Sequence, residues 1–149
     1  MSDDLIASDQ LLTDAQKHLL VAVLDTLIPA SGDHDLPSAG NMDFAKYLAE
    51  HAPEEWPVVI SILNNLKDSF ADDAIARRVE QLESLSVSEP RLFGGLLRQV
   101  YACYYMQPSV LNRIGAGSGA PYPRGNTVEA GDLSLLDPVM SSTITWRRS

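Results

Sequence analysis

Apolar residues recur three and four positions apart through most of this chain, and this period constrains its fold more than any other feature. The clearest example is one helix face, made up of Leu20, Val23, Leu24, Leu27 and Ile28. No segment alternates apolar and polar residues for long enough to predict a half-buried strand. The sequence therefore predicts an all-α fold, a single-domain bundle of five to six helices over residues 13–114.

Local signals predict where the first helices begin and end. Thr13 and Gln16 have the spacing of a capping box, in which each side chain binds the backbone N–H of the other residue. Pro29 is expected to end the first helix. A second helix is predicted over residues 41–50, and a third is expected to carry Phe70 on its buried face.

The later helices are predicted from similar signals. We expect Asp72 to cap a fourth helix, with Ile75, Val79 and Leu82 facing inward. Ser88 is expected to cap a fifth helix, whose buried stripe consists of Leu92, Leu96, Leu97, Val100 and Tyr104. A short sixth helix is predicted from residue 108 to residue 114.

The character of the chain changes after the predicted sixth helix. Residues 115–149 hold five of the nine glycines and show no helical period. They nevertheless keep Tyr122, Leu136 and Trp146, and a disordered tail is normally poor in such side chains. We therefore predict that residues 115–149 form a Gly/Pro-rich extended tail that packs on the bundle or on a partner. At the other end of the chain, residues 1–12 are predicted to form an acidic N-terminal arm.

Charge excludes some classes of partner. The chain has 20 acidic and 11 basic residues, for a net charge of −9, which argues against a nucleic-acid or anionic-membrane surface. No stretch approaches the roughly 18 apolar residues that predict a membrane span, so no membrane insertion is expected. The N-terminal residues lack the basic start of a secretory signal and a twin arginine.

Few residues in the sequence have a pattern that predicts chemistry. Asp33, His34 and Asp35 are adjacent in a loop, a spacing that matches no known metal motif, so no metal site is predicted. Cys103 lies near the end of a helix among tyrosines, which favours a buried and inert thiol. The glycine run over residues 115–119 follows a helix instead of a strand, so it is interpreted as a helix stop and not as a phosphate loop. No catalytic residue is predicted.

The tail also contains a short strip with the composition of a docking segment. Its residues are Pro121, Tyr122, Pro123, Arg124 and Gly125. Prolines preset an extended backbone and tyrosine supplies an amphipathic contact surface. We predict that a partner is bound by this strip together with Tyr104, Tyr105, Leu136 and Trp146. The alternative is that the strip is a rigid turn that holds the tail on its own bundle.

Several short segments, in this order, resemble the gluconate 2-dehydrogenase subunit 3 family. The segments are Thr13–Gln16, Leu24–Pro29, Ala39-Gly40, Asp43-Phe44, Tyr104-Tyr105, Pro108, Ile114-Gly115 and Pro121–Gly125. The resemblance spans roughly residues 12–125, and the Leu-Ile-Pro and Pro-Tyr-Pro-Arg-Gly segments are its most specific parts.

The resemblance implies a non-catalytic accessory subunit of an acceptor-dependent oxidoreductase complex. Its expected partner is a large FAD-containing flavoprotein of the glucose-methanol-choline (GMC) type that oxidises sugars or sugar acids, and a cytochrome c subunit often accompanies such complexes. No cofactor is expected in this chain itself, since the FAD belongs to the large subunit. Family members often carry a twin-arginine leader, a motif that the N-terminal residues here lack. A cytoplasmic location and export together with a partner are therefore both compatible with the sequence.

Two other classes of function are compatible with the sequence. One is a stand-alone helical enzyme or small-ligand protein with a pocket near His51 and Tyr104. The other is a self-associating helical protein whose tail exchanges between copies.

Overall fold

The computed structural model describes residues 12–116 and 133–141, and the fold is all-α there, as the sequence predicts. The helices of the first range are α1 (Asp14–Leu27), α2 (Phe44–His51), α3 (Trp56–Asn65), α4 (Ile75–Ser88), α5 (Pro90–Tyr105) and α6 (Pro108–Arg113). The extended pairing found in these ranges is a single bridge between Ser31 and Leu36. No helix in the described part of the chain has the length and apolar character to cross a membrane.

The chain divides into two compact units, residues 1–118 and residues 119–149. The first unit holds α1 to α6. The described part of the second is a 3-10 turn, Leu133–Leu136, followed by the short helix α7, Asp137–Met140. The predicted extended tail therefore contains a short helical segment, which the glycine and proline content of the tail did not predict. Pro138 is compatible with it, since proline is tolerated in a first helical turn.

The first helix begins and ends where the sequence predicts. The Thr13 hydroxyl oxygen accepts from the Gln16 backbone N–H at 3.2 Å, and the Gln16 side-chain oxygen accepts from the Thr13 N–H at 3.0 Å. The helix ends at Leu27, just before Pro29. The predicted capping box and the predicted end of the helix are both confirmed. Both depend only on residues that are close in sequence.

A carboxylate on α1 holds the following loop against the helix. The Ser38 hydroxyl donates to the Asp25 carboxylate, and the Gly40 N–H donates to the Ser38 hydroxyl oxygen at 3.0 Å. The buried Ala39 donates its N–H to the Ile28 carbonyl at 3.0 Å. We call Asp25, Ser38 and Gly40 the Asp25 clasp. It fixes the loop that leads into α2.

The second helix begins later than predicted. Residues 39–41 form a 3-10 turn, and α2 starts at Phe44 because the Asp43 side chain caps it by accepting from the Lys46 N–H at 3.0 Å. Phe44 and Leu48 are the buried residues of α2.

The prediction that Phe70 continues the third helix is wrong, and so is the prediction that Asp72 caps the fourth. The third helix ends at Asn65, and Phe70 enters the core from a 3-10 turn, Phe70–Asp72, that packs on α1. The side chain of Arg78 reaches back to hold this turn, donating to the carbonyls of Ala71 and, at 2.9 Å, Asp73. These contacts brace the start of α4, whose N-cap residue is Ala74.

Two further expectations about α4 and α5 are wrong. Ile75 and Val79 are 57% and 39% exposed, because the buried residues of α4 are Leu82 and Leu85 in its second half. Ser88 is the last residue of α4, and its hydroxyl donates to the Leu85 carbonyl, so it cannot cap α5. Glu89 occupies the cap position of α5 without a side-chain hydrogen bond.

The sixth helix stops at a glycine, as predicted. Gly115 has a φ of +75°, a left-handed conformation that side chains with a Cβ rarely adopt. The Ala116 N–H donates to the Leu111 carbonyl at 3.0 Å, and the Gly115 N–H donates to the Asn112 carbonyl at 3.3 Å. This pair of bonds is a Schellman motif, which satisfies the last carbonyls of a helix.

The core lies between α1, α3 and α5, with the 3-10 turn at residues 70–72 on one side. Its largest fully buried side chains are Phe44, Phe70, Leu24, Leu48, Ile62 and Leu96. Among the described residues, every buried side chain belongs to an apolar or aromatic residue or is the Cys103 thiol.

Candidate partner-binding surface

Helix α5 has two opposite faces of different character. Its inner face consists of Leu96, Val100, Cys103 and Tyr104, all buried. Its outer face consists of Arg91, Gly94, Arg98, Tyr101 and Tyr105, all exposed. We call these last five residues the α5 outer face. Their spacings of three, four, three and four place them in one row along the helix.

Three of the five residues of the α5 outer face, Gly94, Tyr101 and Tyr105, are poorer helix formers than alanine or arginine. Glycine in a helix interior is about 1 kcal/mol less favourable than alanine. A Cβ added at Gly94 would meet no atom within 4 Å, so no contact within the described chain requires glycine there. Tyr101 and Tyr105 are 44% and 50% exposed, and their rings lie 6.3 Å apart.

One arginine of this face is already paired. Arg98 donates to the Glu55 carboxylate at 2.8 Å, and the Gln99 amide donates to the same oxygen at 3.4 Å. Glu55 is mostly covered, whereas Arg98 is mostly exposed. No ion pair is found for Arg91 within the described ranges. Within the described residues, therefore, Arg98 has a carboxylate partner and Arg91 has no ion pair.

Tyr104 and Tyr105 were predicted to share a role, and the structure separates them. Tyr104 is 3% exposed, and its hydroxyl donates to the Pro37 carbonyl at 2.7 Å. Burial, with a smaller contribution from Tyr105, raises the pKa of Tyr104. Tyr104 thus fastens α5 to the loop before α2 and lies within the core, while Tyr105 points outward.

In the second unit, Leu136 is exposed, as a contact residue must be, and so is Met140, four residues later. The other predicted contact residues, Pro121, Tyr122, Pro123, Arg124, Gly125 and Trp146, lie outside the described residues, as does most of the acidic arm.

Sequence reasoning missed Arg91, Gly94, Arg98 and Tyr101 as candidate contact residues. The signal was present in the spacing. These residues lie opposite the apolar stripe of the fifth helix, and a face that pairs tyrosines with arginines has the composition of an interface.

Cys103 is buried and free, as the sequence predicts. Burial is the main cause that raises the pKa of its thiol from 9.0 to about 11, although a hydrogen bond from Gln107 acts in the opposite direction. The thiolate is the reactive form of cysteine, so this environment suppresses the reactivity of Cys103.

The raised pKa of Cys103 predicts a loss of stability at alkaline pH. Above about pH 9 the unfolded thiol loses its proton while the folded thiol keeps it until about pH 11. The free energy of unfolding should therefore fall as the pH rises through this window. Denaturant titrations at several pH values should give a shallower fall for Cys103→Ala than for the parent chain. Equal slopes would contradict the assignment.

Two of the residues weighed for chemistry in the sequence, His51 and Asp35, have structural partners. The His51 ring stacks on Tyr47 with centroids 5.0 Å apart, near the C-terminal end of α2. Asp35, next to His34, forms an ion pair with Arg113. Over residues 12–116 and 133–141, no three histidine, cysteine or acidic side chains converge as a metal site would require.

One cavity, of about 590 Å³, lies between the end of α3 and α4. Lys67 and Arg77 line it together with Asp73 and Glu80, so its lining carries charges of both signs. None of the four cavities described is lined by His51 or Tyr104.

The chain matches no protein family model, no curated protein and no solved structure.

Proposed function

We propose that this chain is a non-catalytic accessory subunit that binds and stabilises an FAD-dependent, GMC-type sugar or sugar-acid dehydrogenase. The proposal starts from the sequence resemblance to the gluconate 2-dehydrogenase subunit 3 family. A cytochrome c subunit is a further expected member of the complex. In this proposal the large subunit holds the FAD and performs the oxidation.

The observation that carries the proposal is the apolar surface of the second unit. Leu136 and Met140 are exposed on a short helical segment, and the sequence on either side of it contains the aromatic residues Tyr122 and Trp146. Leaving large apolar side chains in water is unfavourable, and a partner that covers them gains roughly 25 cal/mol for each Å² buried. The interior of the first unit supports the same assignment, since its one cysteine is inert.

Aspartate substitutions in the second unit test this surface. We expect Leu136→Asp and Met140→Asp to reduce recovery of the flavoprotein with the tagged chain by at least tenfold, because a carboxylate buried at an interface loses its hydration. Helical circular dichroism should not change. Val87→Asp is the matched control, since Val87 is an exposed apolar residue on α4 and should tolerate the charge without loss of binding. Equal recovery with all three variants would contradict the proposed surface.

A further inference from the structure

Of the α5 outer face, the proposed function gives a role to Tyr105 and leaves the other four residues without one. Tyrosine and arginine are the residue types most enriched at binding hot spots. If the α5 outer face only faced water, a better helix former could stand at position 94 without a clash, because a Cβ at Gly94 would meet no atom within 4 Å. A helix that is approached closely by another backbone does require a residue without a side chain.

We infer that the α5 outer face is the contact surface of a symmetric homodimer, in which α5 of a second copy lies antiparallel across it. This inference does not depend on the proposed function, because the variants that test that function, at Leu136 and Met140, lie in the other unit of the chain.

The spacing of the five residues makes this face complementary to itself. Gly94 lies four residues before Arg98 and Tyr101 three residues after it, while Arg91 and Tyr105 lie seven residues before and after. In an antiparallel pair centred near Arg98, each Gly94 therefore faces Tyr101 of the second copy, and each Arg91 faces Tyr105. A two-fold interface requires this reciprocity, because both copies present the same surface.

Shape supports the pairing of Gly94 with Tyr101. The missing side chain at Gly94 leaves a gap in the row, and the half-exposed ring of Tyr101 supplies a projection of the kind that fills such gaps when helices pack. Two gaps and two rings would be matched in one dimer.

Charge supports the same arrangement. The Arg91 guanidinium, without an ion pair among the described residues, would lie over the ring of Tyr105 of the second copy, which is a favourable cation–π contact. Arg98 would lie near the two-fold axis, where two bare cations would repel each other. The 2.8 Å pair with Glu55 removes this repulsion, because each copy brings an Arg–Glu pair to the axis.

Sedimentation velocity on the purified full chain tests the inference. The chain has a mass of 16.2 kDa, and we expect a concentration-dependent species of twice that mass. Gly94→Leu fills the gap and should raise the dissociation constant roughly tenfold or more. Arg91→Glu should do the same by placing an acid against the tyrosine ring. Ala76→Leu, on an exposed position of α4, is the control for added apolar bulk and should leave the dimer intact.

A cross-linking experiment keeps the inference testable if a variant folds poorly. Cysteines form a disulfide only when their Cα atoms are within about 7 Å. Mixed Gly94→Cys and Tyr101→Cys chains should give a covalent dimer on oxidation, whereas Gly94→Cys mixed with Val87→Cys should not. A chain that stays at 16.2 kDa at every concentration would overturn the inference. A dimer that ignores Gly94→Leu and Arg91→Glu would also overturn it, because another surface, such as an exchanged tail, would then form the contact.

Discussion

Replacing Phe70 by alanine is expected to lower the free energy of unfolding by about 3–5 kcal/mol. Phe70 is fully buried and enters the core from the 3-10 turn that packs on α1. Its removal takes apolar surface out of the core and leaves a cavity that the short turn cannot close. Since small domains are stable by only about 5–15 kcal/mol, the loss should be visible in both urea and thermal unfolding followed by circular dichroism.

Ile75→Ala is the matched control for Phe70→Ala. It also removes a large apolar side chain near the start of α4, but Ile75 is 57% exposed, so a change within about 0.5 kcal/mol is expected. A loss below about 1 kcal/mol for Phe70→Ala would contradict the placement of the 3-10 turn in the core.

Replacing Gly40 by alanine is expected to cost about 1–3 kcal/mol, the usual range for overpacking. A Cβ at this position would lie 2.6 Å from Cγ of Asp25, closer than van der Waals contact allows. The Asp25 carboxylate cannot simply rotate away, because it accepts the hydroxyl hydrogen bond of Ser38. Gly32→Ala is the control, since a Cβ there would meet no atom within 4 Å and should be nearly neutral.

A double variant locates the cause of the Gly40→Ala effect. Asp25→Ala removes the side chain that Gly40→Ala would strike, so the two changes should not be additive. We expect Gly40→Ala to cost at least 1 kcal/mol less in the Asp25→Ala background than in the parent chain. Additive losses, measured by denaturant unfolding, would show that Gly40 is required for a reason other than the Asp25 clasp.

Features that depend on neighbours in sequence were predictable. The Thr13–Gln16 capping box and the stop at Gly115 involve residues within one helical turn, so spacing alone identifies them. The spacing of the apolar residues also predicted the helices, because apolar residues three and four positions apart form the buried face of a helix.

Features that depend on contacts between distant segments were not predictable. Asp72 has the chemistry of a cap, yet the start of α4 is braced by Arg78 from within the helix. The Asp25 clasp joins Asp25 to Ser38 and Gly40 across a loop. These residues are too far apart in sequence for a local pattern to predict the contact.

The candidate surface was predictable in part. Tyr104 and Tyr105 are adjacent, so they point about 100° apart on a helix. The buried stripe already contained Tyr104, which leaves Tyr105 for the exposed side. The role of Arg98 could not be predicted, since it depends on Glu55 reaching α5 from the turn before α3.

The proposal that this chain is the accessory subunit of a flavoprotein dehydrogenase can be tested by co-expression. The tagged chain is co-expressed with a GMC-type flavoprotein of the same organism, purified by affinity, and the absorbance spectrum of the eluate is recorded. We expect the large subunit to co-elute in a fixed ratio and to bring the flavin absorbance with it. Recovery of this chain alone and colourless, while the flavoprotein stays soluble and unbound, would contradict it.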